Sequence, residues 1–332
     1  MKILLTGGTG YIGSHTAVEL INSGHEVEII DNFYNSKKSV LNKIAKITGV
    51  KPKFYQIDLL DNKKLDRLFK KSSYDAVIHF AGYKAVGESV EKPLKYYKNN
   101  LVGTINLLEV MQKHNVHKIV FSSSATVYGN QEGIKLDEDC QTGLGITNPY
   151  GQTKYMIEQI LRDFAVAHPN FAITSLRYFN PVGAHSSGLI GEDPNDIPNN
   201  LMPIIMKVST GEIPKLQIYG NDYETPDGTG MRDYIHVVDL AKGHVQAINH
   251  MTTGIAIYNL GTGKATSVLE MVQAFEKASG KTLPYEIAPR RPGDLAKVYA
   301  DPQKAEKELN WHATLTIEDA MRDTLNYLAN HR

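Results

Sequence analysis

The sequence predicts an α/β fold: a doubly wound parallel sheet followed by a smaller mixed α/β domain. Three observations carry that expectation. Short apolar runs alternate with amphipathic helical stretches through the first half of the chain. Those runs are apolar at successive positions, as strands covered on both faces are. After Asn180 the texture changes to a long Pro- and Gly-rich segment and then to shorter elements of both kinds.

The strands of the first half are expected at residues 3–6, 27–31, 54–57, 76–80, 118–123 and 172–177. Helical patterns lie between them at 12–23, 36–47, 63–70, 93–115 and 150–168. Parallel neighbours need crossover connections, and right-handed helical crossovers then cover both faces of the sheet. Residues 181–200 carry Pro181, Gly183, Gly188, Gly191, Pro194 and Pro198, too long a loop for a simple connection. Beyond it come a helix near 201–210, strands near 216–219 and 233–236, and helices near 238–250, 267–279 and 317–330. The expected division is a first domain over 1–180 and a second over 181–332, with no internal repeats and no low-complexity tracts.

Composition narrows the function classes. The chain has 332 residues, 42% hydrophobic and 22% charged, and 36 basic residues balance 36 acidic ones. With no basic excess there is no general electrostatic reason to bind nucleic acid or an anionic membrane, although a local basic pocket for a small phosphorylated ligand stays open. The single cysteine, Cys140, forms no internal disulfide and has no base-orienting pattern around it. No apolar run approaches the roughly 20 residues that span a bilayer, and the chain opens on an apolar strand with no charged leader. The cytoplasm is the expected compartment.

The first strand runs into Gly7-Gly8-Thr9-Gly10-Tyr11-Ile12-Gly13, with a helix following. Glycines at this spacing allow a tight turn and let the backbone approach a pyrophosphate, which the helix N-terminus attracts with free N–H groups. Asp31 ends the next strand, where a carboxylate accepts from ribose hydroxyls and repels a 2′-phosphate. The unit is therefore a Rossmann-type dinucleotide site, with NAD favoured over NADP. Asp58 ends the third strand and is a candidate for the adenine edge, with a surface turn as the alternative. Phe80-Ala81-Gly82-Tyr83-Lys84 ends the fourth, where small residues leave room for a cofactor. Lys84 is either a phosphate ligand or a solvated lysine.

Tyr150 and Lys154 stand four residues apart, on one face of a helix announced by Asn148-Pro149. A phenol near its usual pKa of about 10 is a poor base at neutral pH. A neighbouring ammonium favours the phenolate, so the pair suits a general base for an alcohol proton. Ser124 sits at a strand end in Ser122-Ser123-Ser124-Ala125-Thr126-Val127-Tyr128-Gly129 and is placed to relay that proton.

The glycine turn, the serine-rich strand end and Tyr150/Lys154 together resemble the extended short-chain dehydrogenase/reductase superfamily. Longer segments narrow the resemblance: residues 80–89, 122–129, Arg177-Tyr178-Phe179-Asn180-Pro181-Val182-Gly183-Ala184, residues 197–203 and Arg232-Asp233-Tyr234-Ile235-His236-Val237. They are similar to the UDP-glucose 4-epimerase (UDP-galactose 4-epimerase) family over about residues 1–325.

That resemblance implies an isomerase of nucleotide sugars, with NAD retained through turnover and no metal, acting in galactose metabolism. UDP-galactose and UDP-glucose would interconvert through a transient 4-keto sugar, Tyr150 taking the 4-hydroxyl proton with Ser124 as relay. The implied NAD contacts are Gly7, Gly10, Tyr11, Ile12, Gly13, Asp31, Asn32, Asn35, Ser36, Asp58, Leu59, Phe80, Ala81, Gly82, Tyr83, Lys84, Asn99, Ser124, Tyr150, Lys154 and Phe179. The implied UDP-sugar contacts are Lys84, Ser124, Tyr150, Asn180, Asn200, Leu201, Gln217, Ile218, Tyr219, Arg232, Arg291, Asp294 and Val298. Two arginines clamp a diphosphate with forked donors, Asp294 accepts from ribose, and Tyr219 offers a face to uracil. Some members carry a tyrosine at the position of Val298 and exclude sugars bearing a 2-acetamido group. Valine is small, so UDP-N-acetylglucosamine and its galacto epimer are expected as further substrates. A homodimer through the helices at 93–115 and 150–168 is also implied. A 4,6-dehydratase is the nearest rival, but Ser124 is followed by Ala125 and Thr126 in place of the Asp-Glu pair that elimination needs. A UDP-glucuronate decarboxylase fits the pocket residues less well, and a non-catalytic NAD-binding regulator has no need of Tyr150, Lys154 and Ser124.

Overall fold

The computed structural model describes residues 1–131, 133–195, 200–291 and 293–331. Seven strands form the central sheet: β1 (Lys2–Thr6), β2 (Glu26–Asp31), β3 (Lys53–Gln56), β4 (Ala76–His79), β5 (Lys118–Ser124), β6 (Ala172–Tyr178) and β7 (Gly254–Leu260). Their order is β7-β6-β5-β4-β1-β2-β3, every pair parallel. Strand order reverses between β1 and β4, and the crevice at their carboxyl ends is where such sheets hold ligands.

The doubly wound arrangement follows from the apolar runs. Ile3 and Leu5 of β1 enter one core with Val18, Ile29, Leu240 and Trp311, whereas Leu4 enters the opposite core with Leu65, Val77, Leu107 and Leu161. Alternate residues face opposite layers, so a strand covered on both sides must be apolar throughout.

Several elements differ from the sequence expectation. The second half of the chain returns to the first layer: β7 pairs with β6, and the helix Val237–Asn249 packs on the Tyr11–Asn22 side. Neither the glycine that opens β7 nor the polar Asn259 within it signals a buried strand. The helix expected at 36–47 begins at Ser39. The helix expected at 93–115 is three pieces, Pro93–Tyr97, a π-turn over Lys98–Val102, and Gly103–Lys113.

The remaining strands are short. Met231–Arg232 lies between Thr266–Ser267 and Lys297–Ala300, and Lys135–Leu136 extends that sheet. Asn180–Val182 pairs with Tyr234–His236, and Leu216–Tyr219 with Tyr285–Ala288. A third core of Ile205, Ile218, Met271, Phe275 and Met321 supports these pairs. The motif at 197–203 is described only from Asn200; residues 197–199 lie outside the described residues.

One polar network joins β5 and β6 to the helix Pro149–Ala167. Arg177 of β6 and Glu158 of the helix Pro149–Ala167 are fully buried and joined by two bonds, Nε and Nη2 standing 3.0 and 2.8 Å from the carboxylate. The Ser123 hydroxyl donates to the same carboxylate, and Arg177 also donates to the Tyr128 hydroxyl at 2.9 Å. Removing one partner of such a pair leaves a stranded charge, costing about 3–5 kcal/mol, whereas an apolar replacement of both is often near neutral. Arg177→Met should therefore lower the free energy of urea unfolding by about that amount, and adding Glu158→Met should recover most of the loss. Equal loss in the single and double variants would contradict this account.

Candidate functional site

At the end of β1 the chain turns through Gly7, whose φ of 69° is left-handed. A Cβ at Gly7 would lie 2.8 Å from the Ala81 nitrogen, and one at Gly13 would lie 2.5 Å from the Gly7 carbonyl oxygen. Both obstacles are backbone, so neither position tolerates a side chain. Gly10 caps the helix Tyr11–Asn22 with no side-chain bond, leaving first-turn N–H groups for a ligand. The Asp31 carboxylate accepts from the Thr9 and Phe33 amides at 3.2 and 2.8 Å and from the Ser36 hydroxyl at 3.1 Å. Asp58 accepts from the Asn32 amide group at 2.9 Å and from the Leu60 N–H at 2.8 Å. Two carboxylates are thus fixed at adjacent strand ends.

The segment after β4 forms the facing wall. The Ala81 N–H donates to the Thr6 hydroxyl at 3.2 Å, and the Tyr83 N–H to the Asn100 side chain at 2.8 Å. Asn100 belongs to the π-turn, which turns it inward and leaves Asn99 lining the pocket. A π-turn inside a helix commonly marks a functional position. The Lys84 ammonium is paired with Glu192 at 3.1 Å, and Glu192 also accepts from Asn200 at 2.7 Å.

Asn148 caps the helix Pro149–Ala167 by accepting from the Gly151 N–H at 2.9 Å, which places Tyr150 in the first turn and Lys154 one turn later. Lys154 is 6% exposed and donates to the Ser122 carbonyl. Its nitrogen lies 5.9 Å from the centre of the Tyr150 ring. Burial pushes the Lys154 ammonium down to about 7, with Glu158 pulling the other way. Burial also raises the Tyr150 phenol, and a hydrogen bond with Ser124 opposes that rise. Ser124, rather than the expected lysine, is the group that counters burial at the phenol here. Ser124 ends β5, where its hydroxyl also accepts from the Thr126 N–H at 3.2 Å. The three groups stand ready to accept, relay and stabilise one alcohol proton. Cys140 packs on the cluster of Val127, Tyr128 and Phe179, and burial pushes its thiol up.

The second half supplies two cations, Arg291 and Arg232, which with Tyr219, Asp294 and Val298 lie outside the lining of the pocket that holds Tyr150. The Arg291 guanidinium lies 2.8 Å from Asp294 and stacks 4.7 Å from the Tyr219 ring centre, whose hydroxyl donates to Gln217 at 3.0 Å. Arg232 donates to the Met231 and Leu295 carbonyls at 2.9 and 2.8 Å. Gly293, between Arg291 and Asp294, abuts Thr147 just before the Tyr150 helix. Val298 is the strand partner of Arg232 and packs on the small cluster of Val127, Tyr128 and Phe179 that follows Ser124. Tyr299, next along the strand, instead stacks under the Lys297 ammonium at 4.6 Å.

One long pocket brings together Gly7, Gly10, Tyr11, Ile12, Gly13, Asp31, Asn32, Asn35, Ser36, Asp58, Leu59, Phe80, Ala81, Gly82, Lys84, Asn99, Tyr150 and Lys154. Phe179 lies outside that lining, buried with Val127 and Tyr128. Ile218 points into the third core, so its peptide group is what it has to offer, whereas Gln217 and Tyr219 on either side are exposed. Asn180 and Asn200 are exposed, and Leu201 begins the helix that Asn200 caps. Tyr34, Lys37, Tyr178 and Glu192 also line the pocket. No spacing marks them, because loops and a strand end that are distant in sequence deliver them.

The buried lysine carries a cost that depends on pH. The unfolded chain holds the Lys154 proton up to about pH 10.5, the folded chain only up to about 7. Between those values the unfolded state binds more protons, so stability contributed at this site rises with pH. Lys154→Met should therefore melt higher than the parent at pH 7, and the advantage should shrink as pH approaches 10. Scanning calorimetry at the two pH values checks this; a variant destabilised equally at both would refute it.

Comparison with known proteins agrees with this geometry. Residues 3–261 match the model of the NAD dependent epimerase/dehydratase family. The chain is 57% identical over 333 residues to a UDP-glucose 4-epimerase of Bacillus subtilis (strain 168), covering 100% of this chain and 98% of the relative. It superposes with a TM-score of 0.96 on the UDP-glucose 4-epimerase of Bifidobacterium longum in complex with NAD+ and UDP, at 56% identity over 99% of this chain and 98% of that one. The Stenotrophomonas maltophila UDP-glucose 4-epimerase with bound NAD and formylated UDP-arabinopyranose gives 0.96 at 47% identity, over 100% and 98% of the two chains. By family model, full-length identity and fold, the chain belongs to the NAD dependent epimerase/dehydratase family.

Proposed function

We propose that this chain is an isomerase that interconverts UDP-galactose and UDP-glucose by inverting C4 of the sugar on a retained NAD. The observation that carries the reading is the convergence on one pocket of a backbone-only dinucleotide turn and the Tyr150/Lys154 pair, which Ser124 joins through its bond to the phenol. The high identity to UDP-glucose 4-epimerases over the whole chain supports the same substrate.

The residues present fit NAD. The Cβ-free turn and the uncapped helix N-terminus suit a pyrophosphate, and Asp31 suits an unphosphorylated ribose. Bound there, NAD would supply the hydride acceptor that oxidises C4 and the hydride donor that reduces it again. Tyr150 accepts the 4-hydroxyl proton through Ser124 and gives it back at the end of the turnover. Lys154 offers positive charge to the phenolate as it forms. Arg232 and Arg291 hold the diphosphate as a pivot while the sugar turns. Ala125 and Thr126 after Ser124 leave no carboxylate for water elimination, which favours epimerisation over dehydration. Val298 leaves room for a 2-acetamido group, so UDP-N-acetylglucosamine and UDP-N-acetylgalactosamine are also substrates.

Purified protein given UDP-galactose and no added NAD should form UDP-glucose, with the N-acetyl pair converted in parallel. Tyr150→Phe should lower kcat by about 10²–10⁴-fold while keeping NAD bound. Val298→Tyr should reduce N-acetyl turnover about tenfold or more, given the size of a lost pocket contact, and spare the plain sugars. A folded, NAD-loaded protein that converts neither sugar would overturn the substrate reading.

The chain is further proposed to work as a cytoplasmic homodimer. No described helix is long and apolar enough to cross a membrane. Leu94, Val102, Ile105, Met156 and Val166 are large apolar side chains exposed on the adjoining helices of residues 93–113 and Pro149–Ala167, a pattern that marks association. Sedimentation velocity should give twice the chain mass for the parent and a single chain mass for a Leu94→Glu/Ile105→Glu variant. A monomeric parent would reject the dimer.

A further inference from the structure

The wall of the NAD pocket carries an aromatic cluster that the proposed chemistry leaves unused. Tyr34, from the loop after β2, and Tyr83, from the segment after β4, stand with ring centroids 4.4 Å apart. The Lys95 ammonium lies 4.9 Å from both ring centres and donates to the Tyr34 hydroxyl at 2.6 Å. Glu88 accepts from Lys95 at 2.6 Å and from the Tyr96 hydroxyl at 3.0 Å, so the lysine is itself held. The Tyr83 backbone is fixed from below by Asn100, through both its N–H and its carbonyl.

The position of the cluster gives it a consequence. Asn32 and Asn35 flank Tyr34, and Gly82 and Lys84 flank Tyr83; all line the pocket, as do Tyr34 and Tyr83. Asn32 bonds Asp58, so the cluster sits at the adenosine end, about the two carboxylates. The loop carrying Tyr34 and the segment carrying Tyr83 belong to opposite walls, and the rings tie one to the other. A dinucleotide lying between those walls leaves only when they part. Resting on the NAD reading above, we propose that Tyr34, Tyr83 and Lys95 form a clasp that closes the adenosine end of the pocket and slows exchange of the cofactor. The clasp is half open to water, Tyr34 being 38% exposed, so it opens without unfolding the sheet beneath. It touches no reacting atom; its role is retention.

Exchange of bound NAD for deuterated NAD, followed by mass spectrometry of the isolated holoprotein, tests this without reference to turnover. Tyr34→Ser and Lys95→Met should each exchange about tenfold faster than the parent, as loss of a part-buried cation–π contact and a charged hydrogen bond implies. Tyr34→Phe, which keeps the ring and loses the bond to Lys95, should fall between. Entry should quicken along with exit, so Kd should move less than the exchange rate. Exchange within twofold of the parent in NAD-bound Tyr34→Ser and Lys95→Met proteins would overturn the clasp alone. Faster exit with unchanged entry would show lost contacts in place of a gate and would also overturn it. A parent protein that holds no NAD would overturn the cofactor reading and the clasp with it.

Discussion

Backbone meets backbone at the point where the strand order reverses. Gly7 leaves β1 with its α-carbon so close to Ala81 that a methyl group would strike the peptide of the neighbouring turn, and Gly13 is held against the Gly7 carbonyl. This contact sets the mouth of the pocket at the depth of bare peptide groups. A phosphate is then met by N–H groups and a helix terminus rather than by flexible side chains, with little ordering left to do on binding. Asp31, Asp58, Asn99 and Lys84 are all positioned relative to that turn, since each hangs from a strand end or a helix packed on it. A side chain at Gly7 would push β1 from β4 and displace both walls together.

The same strand ends manage charge at the other end of the pocket. Lys154 is buried where an ammonium is poorly solvated, and Glu158, one turn further along the helix, favours its charged form. Glu158 is itself neutralised by Arg177, which is held by Tyr128, and Tyr128 donates to Asn259 of β7. The strand supplied by the second half of the chain thereby reaches the electrostatic environment of the proton-handling group. Buried ion pairs add little net stability compared with apolar packing. Here the pair ties β5, β6 and the Tyr150 helix to one register, and that register decides where Ser124 and Tyr150 meet.

The parts that were legible in the sequence share a physical character. The glycine spacing, the acid at the end of β2, the alternation of strand and helix, and the Tyr150/Lys154 interval are local patterns, and local geometry enforces them. The Asn148 cap and the strand-end position of Ser124 follow for the same reason. What escaped was set by distant pairing. β7 is a central-sheet strand because β6 offers it an edge, and nothing within Gly254–Leu260 announces that. The π-turn over Lys98–Val102 interrupts a sequence that reads as one helix, because the buried Asn100 bonds Tyr83 and Thr153 across the fold. Glu192 looks like an ordinary loop acid until Lys84, from a distant segment, and Asn200, from the end of its own loop, are in place. Val298 became interpretable once strand pairing set it beside Arg232 and separated it from Tyr299.

The two halves of the site differ in rigidity in a way that suits inversion at one carbon. Tyr150, Ser124 and Lys154 sit on a capped helix and a central strand, with the ion pair of Glu158 and Arg177 behind them, and have little freedom to move. Arg291 and Asp294 sit on a loop between short paired strands, with the Arg291 side chain more than half exposed. A reaction that presents first one face of a sugar and then the other to a fixed acid–base pair needs the sugar to turn while its anchor holds. Under the proposed roles, rigid groups at the reacting carbon and an adjustable guanidinium at the diphosphate would satisfy both demands, since forked guanidinium donors keep their bonds through small rotations of the anion. A site rigid at both ends would bind one epimer well and hold it; one loose at both ends would lose the alignment that proton transfer requires.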